Sequence, residues 1–329
     1  MLKLSEISFC CPLCKFKLGI KPVKTNETGS NIFLACTNGH KFPIINGIPR
    51  LIREKECSQN KYDKRILTAN DQNSSSLESF NFHYGLQEWI FKYDIERVRN
   101  NLKSVFRISP NGLKDKIVFI IGCGNGSEIK AISEYNPNMI IAIDLTDKIE
   151  DASNNIRDEK NVIIIQADAH QMILPKGYVD VIYCDGVLSH TKNPYKVIEN
   201  MVDLIKPGGL IYFRTMLETS IKRNIFYVLP RKILRIFLSR LDNKSLWNLC
   251  YLFGIVNKIP IANVISRLLF LYFDPQNDDI NVTRLMNFRR YGKHSFRKRL
   301  KREDIMTTIM SQNKNVKIEL VNNVFIISA

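Results

Sequence analysis

Residues Val118–Glu128 read VFIIGCGNGSE, an apolar run that leads directly into three glycines at alternate positions. A short apolar run followed by glycine indicates a buried strand that ends in a tight loop. A second apolar run, Met139–Ile143, ends on Asp144. Glycines after one strand let backbone N–H groups approach a ligand closely, and an acidic residue that closes the next strand can hold ribose hydroxyls. The stretch therefore indicates a nucleoside-containing ligand.

From Lys116 onward, apolar runs and helical patterns alternate along the chain. Short apolar strands alternating with helices predict a parallel sheet that is covered on both faces. Pro207-Gly208-Gly209 predicts a turn that leads into the last of the parallel strands. We expect parallel strands at 118–121, 139–143, 162–167, 179–184 and 210–214, and a closing hairpin at 316–321 and 324–328.

Five motifs follow one another along the chain, namely Ile121–Gly126, Ala142–Leu145, Ala167–Ala169, Val179–His190 and Leu204–Gly209. Their order is that of the class I S-adenosylmethionine-dependent methyltransferases, and this region resembles that family, in particular its methyltransferase type 11-like members. The resemblance implies an α/β fold with a Rossmann-like, seven-stranded methyltransferase sheet and S-adenosylmethionine as the cofactor. A dinucleotide-binding domain shares the first motif but leaves the later ones unexplained.

The resemblance also implies which residues hold the cofactor. Asp144 takes the place of the ribose ligand, and Asp168 that of the ligand to the adenine amino group. The alternative for each aspartate is a helix N-cap. The cysteines at 123 and 184 are expected to be small buried hydrophobes beside the cofactor rather than nucleophiles. The full set of implied cofactor residues is Gly122, Cys123, Gly124, Gly126, Asp144, Leu145, Asp168, Ala169 and Cys184.

Cysteines and a histidine form a metal-binding pattern in the first fifty residues. Cys11 and Cys14 make a C-x2-C pair, and Cys36 and His40 make a C-x3-H pair further on. Two such pairs can supply the four tetrahedral ligands of a structural zinc, with no position left open for catalysis. Cys10 replaces Cys11 only if the first pair becomes C-x3-C. The other alternative is a small β unit in which the four residues are unrelated.

Residues 7–52 resemble the small Trm112-like zinc-ribbon domains, although His40 stands where those domains usually have a cysteine. Zinc ribbon, methyltransferase sheet and a helical insertion together are similar to a bacterial group of two-part methyltransferases. That group is associated with surface glycans and secondary metabolites. The resemblance therefore implies an acceptor that is a small molecule, a sugar or a lipid-linked glycan.

Methyl transfer to an oxygen or nitrogen requires alignment of donor and acceptor and removal of a proton. The loop after the fourth strand faces the methyl group in the family, and His190 in that loop is our candidate general base, because an imidazole titrates near neutrality. Asp185 is a weaker candidate. A histidine that only packs against the turn at 191–194 is the alternative for His190.

The net charge of +16 is concentrated in one segment, since residues 221–310 hold 18 lysines and arginines against 6 aspartates and glutamates. Such an excess favours contact with RNA, an anionic membrane or an acidic substrate, and a solvated surface is the plain alternative. No apolar run reaches the length of a membrane span, and residues 1–9 do not form a signal peptide. We therefore expect a cytoplasmic protein without a transmembrane segment.

We predict three parts along the chain. Residues 1–53 form the zinc-ribbon module, and residues 54–110 form a linker and N-terminal helices that cover the cofactor site, with His83 and Tyr84 among them. Residues 111–329 form the methyltransferase domain, interrupted by a basic helical insertion at 216–301. The predicted activity is methylation of a small molecule, sugar or lipid-linked glycan. The alternatives are an rRNA or tRNA methyltransferase and a non-catalytic, zinc-containing scaffold.

Overall fold

The computed structural model describes residues 4–23, 31–52, 88–104, 108–109, 112–218, 233–256, 279–291, 298–312, 316–321 and 324–328. The predicted linker, with His83 and Tyr84, lies outside these ranges, as does a large part of the insertion at 216–301. Within the ranges that are described, no helix is both long and apolar enough to cross a bilayer.

The N-terminal module is an antiparallel meander of short strands. Each strand pairs with the next one along the chain. Asn46 and Gly47 connect the last two strands and both have positive φ, which is the two-residue turn that Asn-Gly favours in hairpins. The strands are β1 (Gly19–Val23), β2 (Asn31–Ala35), β3 (Lys41–Ile45) and β4 (Ile48–Leu51).

Parallel strands form the middle of the sheet, and helices connect them. The strands are apolar and buried because both faces of the sheet are covered. The strands are β5 (Ile117–Ile121), β6 (Met139–Asp144), β7 (Val162–Ala167), β8 (Val179–Asp185) and β9 (Ile205–Arg214). The helices are α1 (Glu88–Ser104), α2 (Ser127–Ser133), α3 (Ile149–Asn155) and α4 (Pro194–Leu204).

The fifth parallel strand differs from the prediction at its start. β9 begins at Ile205, and Pro207, Gly208 and Gly209 belong to the strand rather than to a turn before it. The register against β8 shifts there, since β9 has four residues between its paired positions where β8 has one. A Cβ on Gly209 would lie 2.8 Å from the carbonyl oxygen of Asp180. Glycine at this position therefore lets the irregular strand approach β8.

Strand order confirms the predicted α/β class and corrects the predicted number of strands. The order is β1-β2-β3-β4-β7-β6-β5-β8-β9-β11-β10, with β10 (Lys317–Val321) and β11 (Val324–Ser328) forming the antiparallel hairpin expected at the end of the chain. The last seven strands in this order make up the expected sheet. The other four extend it to eleven, because β4 pairs in parallel with the outer edge of β7 and covers an edge that would otherwise be open.

Two apolar layers lie on the two faces of this sheet. One layer joins strand residues to Val98 of α1, Ile132 of α2 and Ala152 of α3. The other joins strand residues to α4, to α7 (Arg302–Gln312) and to Phe9, Leu18, Leu34, Phe42 and Leu51 of the N-terminal module. The module thus shares a core with the sheet.

The chain divides into two compact units, Met1–Asn70 with Leu86–Glu218 and Arg297–Ala329, and Asp71–Gly85 with Thr219–Phe296. The described part of the second unit consists mainly of α5 (Asn243–Val256) and α6 (Ile280–Tyr291). The helices pack through Trp247 and Phe288, whose rings meet edge to face at 5.4 Å, and Arg284 lies 4.2 Å above the Trp247 ring. The helical character predicted for the insertion holds in this described part.

Candidate functional site

The glycine loop after β5 lies at the point where the strand order reverses, with β6 on one side of β5 and β8 on the other. Open α/β sheets bind ligands at this position, beyond the carboxyl ends of the strands. Gly122, Gly124 and Gly126 all have positive φ, at 79°, 50° and 89°. A Cβ on Gly122 would lie 2.2 Å from Cγ2 of Val187, so the loop after β8 rests directly against the glycine loop.

Asp144 connects the end of β6 to the glycine loop. Its Oδ2 accepts a hydrogen bond of 2.8 Å from the Gly124 N–H, and its Oδ1 accepts one of 2.8 Å from the Thr146 N–H. Burial raises the pKa of Asp144, and these N–H groups oppose the rise. The N-cap position of α3 belongs to Lys148. Asp144 is therefore not a helix cap, and its carboxylate lies beside the glycine loop as the family pattern implies.

Leu145, next to Asp144, is fixed through its backbone. Its carbonyl oxygen accepts a hydrogen bond of 3.2 Å from Nε2 of Gln166 on β7. Oε1 of the same amide accepts one of 3.3 Å from Arg50 on β4, and Arg50 also pairs with Glu150 of α3. The guanidinium of Arg50 is only 2% exposed. A charged residue of the N-terminal module is thus buried next to the loop that follows β6.

Asp168 and Ala169 follow β7, and residues 168–178 contain no helix that Asp168 could cap. Oδ1 of Asp168 lies 2.6 Å from Nδ1 of His170, and the Ala169 carbonyl accepts a bond of 3.0 Å from Nδ2 of Asn200. Cys184, the last residue but one of β8, is fully buried, and burial raises its pKa. The buried, neutral thiol agrees with the expected role of a small hydrophobe.

Cys123 is also fully buried, and burial raises its pKa well above the ordinary value. It lies within the glycine loop, where its N–H donates to the Ile143 carbonyl over 3.1 Å. Both cysteines of the sheet region therefore lack the exposure that a nucleophilic thiolate requires.

His190 lies in a single 3-10 turn, Leu188–His190, in the loop after β8, and it is half-buried. Its N–H donates to the carbonyl of Val187, the residue that packs against Gly122. The preceding Ser189 Oγ lies 3.1 Å from Oγ1 of Thr215, just beyond β9. The loop that carries His190 is therefore held between the glycine loop and the end of β9.

A buried cluster of charged side chains lies beside this loop. Arg97 of α1 lies 3.0 Å from Asp185, 3.4 Å from Asp94 and 3.6 Å from Glu128. Nε of Arg214, at the end of β9, donates to Oδ1 of Asp185 over 2.7 Å. Three carboxylates thus share two guanidinium groups at the carboxyl ends of β8 and β9.

The pKa values of two acids in the cluster shift in opposite directions. Burial raises the pKa of Glu128 to about 7, although Arg97 opposes the rise. Burial also acts to raise the pKa of Asp185, but Arg214 and Arg97 outweigh it and hold that pKa below its usual range. Asp185 is therefore ionised with both oxygens bound by guanidinium groups, and it is poorly suited to take a proton from an acceptor.

The predicted metal ligands converge in the N-terminal module. The ligand atoms of Cys11, Cys14, Cys36 and His40 all lie within 4.8 Å of one another. His40 Nδ1 lies 3.5 Å from Cys11 Sγ and 3.4 Å from Cys36 Sγ, and the Cys14 and Cys36 sulfurs are 3.6 Å apart. A tetrahedral zinc ion would place such atoms about 3.5–3.8 Å apart. Three of the six pairs of ligand atoms are therefore spaced as in a tetrahedral site, and the other pairs lie within 4.8 Å.

Cys10 is not part of this group, and its backbone takes a different role. Its N–H donates to the carbonyl of Ile173, in the segment after β7, over 2.8 Å. Nζ of Lys15 donates to the carbonyls of Pro12 and Met172, each over 3.2 Å. The residues on either side of the first two cysteine ligands therefore contact the segment that begins at Asp168.

Sequence reasoning missed Arg50, Arg97 and Arg214, because charged side chains are expected in water. Only Arg214 could have been noticed in the sequence, because it is a charged residue at the end of an otherwise apolar strand. Arg97 follows the ordinary pattern of an amphipathic helix. Arg50 is buried through a strand pairing that the local sequence does not indicate.

Residues 120–213 match the family described as "Methyltransferase domain". The strand order and the glycine loop agree with this match, and the region is a methyltransferase domain by fold. The match runs from the end of β5 through almost all of β9 and includes the loops that bear Asp144, Asp168 and His190.

Curated relatives of this chain include ubiquinone biosynthesis O-methyltransferases. The protein of Coxiella burnetii is 26% identical over 155 residues, which cover 46% of this chain and 66% of that protein. The protein of Colwellia psychrerythraea is 32% identical over 133 residues, covering 39% of this chain and 53% of that protein. The chain thus spans between about half and two thirds of the length of these relatives.

One similar solved structure is a putative S-adenosyl-L-methionine-dependent methyltransferase from Methanococcus maripaludis. It is 18% identical to this chain, with a TM-score of 0.40, and the match covers 82% of this chain and 95% of that chain. The N-methyltransferase NodS from Bradyrhizobium japonicum in complex with S-adenosyl-L-homocysteine is 19% identical, with coverage of 45% and 74% and a TM-score of 0.35.

Proposed function

We propose that this protein transfers a methyl group from S-adenosylmethionine to an oxygen or nitrogen of a small molecule, a sugar or a lipid-linked glycan. The bond from the Gly124 N–H to Asp144 is the observation that supports the proposal, because the carboxylate that we assign to the ribose lies beside a glycine loop at the switch point of the sheet. When bound, the cofactor supplies an electrophilic methyl group.

The residues of the chain have separate roles in this proposal. Gly122, Gly124 and Gly126 leave room for the cofactor along the loop, and Cys123 and Cys184 provide apolar walls. Asp144 and Leu145 lie at the ribose, and Asp168 and Ala169 at the adenine. His190 takes the proton from the acceptor, and the bonds of its loop to the end of β9 hold it over the site.

An oxygen acceptor is the first choice within this class. The curated relatives are named as O-methyltransferases of ubiquinone biosynthesis, and they are 26–32% identical to this chain over the matched residues. RNA is the alternative acceptor, on account of the 18 basic residues within 221–310. The glycan assignment rests on the resemblance of the whole arrangement to two-part methyltransferases.

We infer that Cys11, Cys14, Cys36 and His40 bind one structural zinc ion. The spacing of 3.4–3.6 Å between neighbouring ligand atoms supports this assignment, and a site with four protein ligands has no open position for a substrate. The metal therefore stabilises the module and takes no part in methyl transfer. By this reading the first part of the chain is a Trm112-like zinc ribbon.

Radiolabelled S-adenosylmethionine tests the function directly. The purified protein is incubated with host lysate separated into RNA, protein, lipid and glycan, and small-molecule fractions. We expect label in the lipid and glycan or small-molecule fraction, lost with Asp144→Ala and kept with Asp151→Ala, which removes an exposed carboxylate of α3. Label confined to nuclease-sensitive material would establish the RNA alternative. If the protein does not bind S-adenosylhomocysteine, the non-catalytic scaffold is the remaining alternative.

A further inference from the structure

His170 forms a pair with Asp168 that the proposed function does not use. Both the N–H and the ring Nδ1 of His170 approach the same oxygen, Oδ1 of Asp168, at 2.9 and 2.6 Å. The Asp168 side chain is 35% exposed. One carboxylate oxygen is thus held by His170, and the carboxylate remains accessible to a ligand.

A second contact determines which nitrogen of His170 carries the proton. The backbone N–H of Asn193 donates to Nε2 over 3.2 Å. An amide N–H can only donate, so Nε2 is the acceptor and carries no hydrogen. The hydrogen of the neutral ring is therefore on Nδ1, which donates to Asp168, and the orientation of the ring is fixed at both nitrogens.

The rest of this segment is attached to α4. Asn193 caps the N-terminus of that helix through its side chain, which accepts from the Lys196 N–H. Within the helix, the buried Asn200 donates to the Ala169 carbonyl over 3.0 Å. The two residues after Asp168 are therefore bound to Asn200 and Asn193, whereas the Asp168 side chain itself is held by His170.

The charge of Asp168 suits a ligand that donates hydrogen bonds. Burial acts to raise the pKa of Asp168, but the hydrogen bonds from His170 outweigh it and hold the pKa below its usual range. An ionised carboxylate only accepts hydrogen bonds. It therefore matches an exocyclic amino group and is repelled by a carbonyl oxygen in the same place.

We propose that His170 is a positioning residue that sets the preference of the cofactor site for adenine over a purine with a 6-oxo group. It holds Oδ1 of Asp168, so that Oδ2 is directed to the 6-amino group. This inference rests on the proposed function and deepens it, since it assigns base specificity to a residue outside the family's motifs.

Two ligands that differ only in the purine test the inference. The dissociation constants of S-adenosylhomocysteine and S-inosylhomocysteine are measured by calorimetry for the full chain, and their ratio is the readout. We expect the wild type to prefer S-adenosylhomocysteine. His170→Leu should reduce the preference about tenfold by weakening only the adenine ligand. His170→Asn should restore most of it, because its amide nitrogen takes the place of Nδ1.

Asn200→Ala is the matched control, since it loosens the same segment without removing a contact of Asp168. It should weaken both ligands equally and leave their ratio unchanged. An unchanged ratio in His170→Leu, or an equal loss of both ligands, overturns the role of His170. An unchanged ratio in Asp168→Asn also overturns the role of His170, because it would show that Asp168 does not recognise the adenine. If the wild type binds neither ligand, the proposed function itself fails.

Discussion

A side chain at position 122 would collide with the loop that follows β8. The Cβ would lie 2.2 Å from Cγ2 of Val187, and the backbone has φ +79°. We predict that Gly122→Ala destabilises the fold by about 1–3 kcal/mol and weakens S-adenosylhomocysteine at least about tenfold. Calorimetric binding and thermal unfolding check this. Gly208→Ala is the control, because its φ is +77° but no atom lies within 4 Å. Equal binding loss in both variants would contradict the prediction.

The proposed zinc site predicts how single substitutions in the N-terminal module change its metal content. We predict that Cys14→Ser lowers the zinc content of the purified protein well below one ion per chain, since a hydroxyl is a poor substitute for a thiolate ligand. Cys10→Ser should keep the full content, because Cys10 lies outside the group of four. Mass spectrometry of the metal measures both. Zinc lost from Cys10→Ser and kept in Cys14→Ser would show that the ligand set is wrong.

Among elements, the charged cluster joins α1 and α2 to the ends of β8 and β9. Glu128 has a pKa of about 7 in the folded protein against an ordinary value of 4.5, so the folded state holds a proton that the unfolded chain has released. Stability should therefore fall as the pH rises from about 4.5 through about 7.

Glu128→Gln should remove this fall, because the amide imitates the protonated acid. The variant should gain on the order of 2–3 kcal/mol relative to the wild type between pH 5 and pH 8. Denaturant unfolding at the two pH values measures the difference. Glu134→Gln, which breaks an exposed pair with Arg99, should change stability by less than about 1 kcal/mol at either pH. If the free energy of unfolding changes with pH by the same amount in the wild type and in Glu128→Gln, the prediction is wrong.

The elements that could be predicted from sequence are those with a local signal. Apolar runs located β5 to β8 within one or two residues, and the Cys and His spacing identified four side chains that do converge. The predicted start of β9 was wrong. Pro207–Gly209 has the composition of a turn, but these residues belong to the strand, where its register against β8 is irregular. The pairing of β4 with β7 could not be predicted, because the local sequence of a strand does not specify which distant strand it pairs with.

At the scale of the whole molecule, the N-terminal module and the methyltransferase sheet share strand pairing and a core. We therefore predict that zinc removal by a chelator destabilises both. Hydrogen exchange measured by mass spectrometry should show faster exchange in β7 as well as in β2. Cys14→Ser should show the same pattern without chelator, and Cys10→Ser should not. Unchanged exchange in β7 would show that the module unfolds independently.

The pairing of Arg50 with Gln166 also has a consequence for how the chain folds. These partners are 116 residues apart, so the edge of the sheet can form only after a large loop has closed. During synthesis the first fifty residues leave the ribosome well before β7 exists. Until then β4 is paired with β3 on one side only, and its other edge stays open to chaperones or to a second chain.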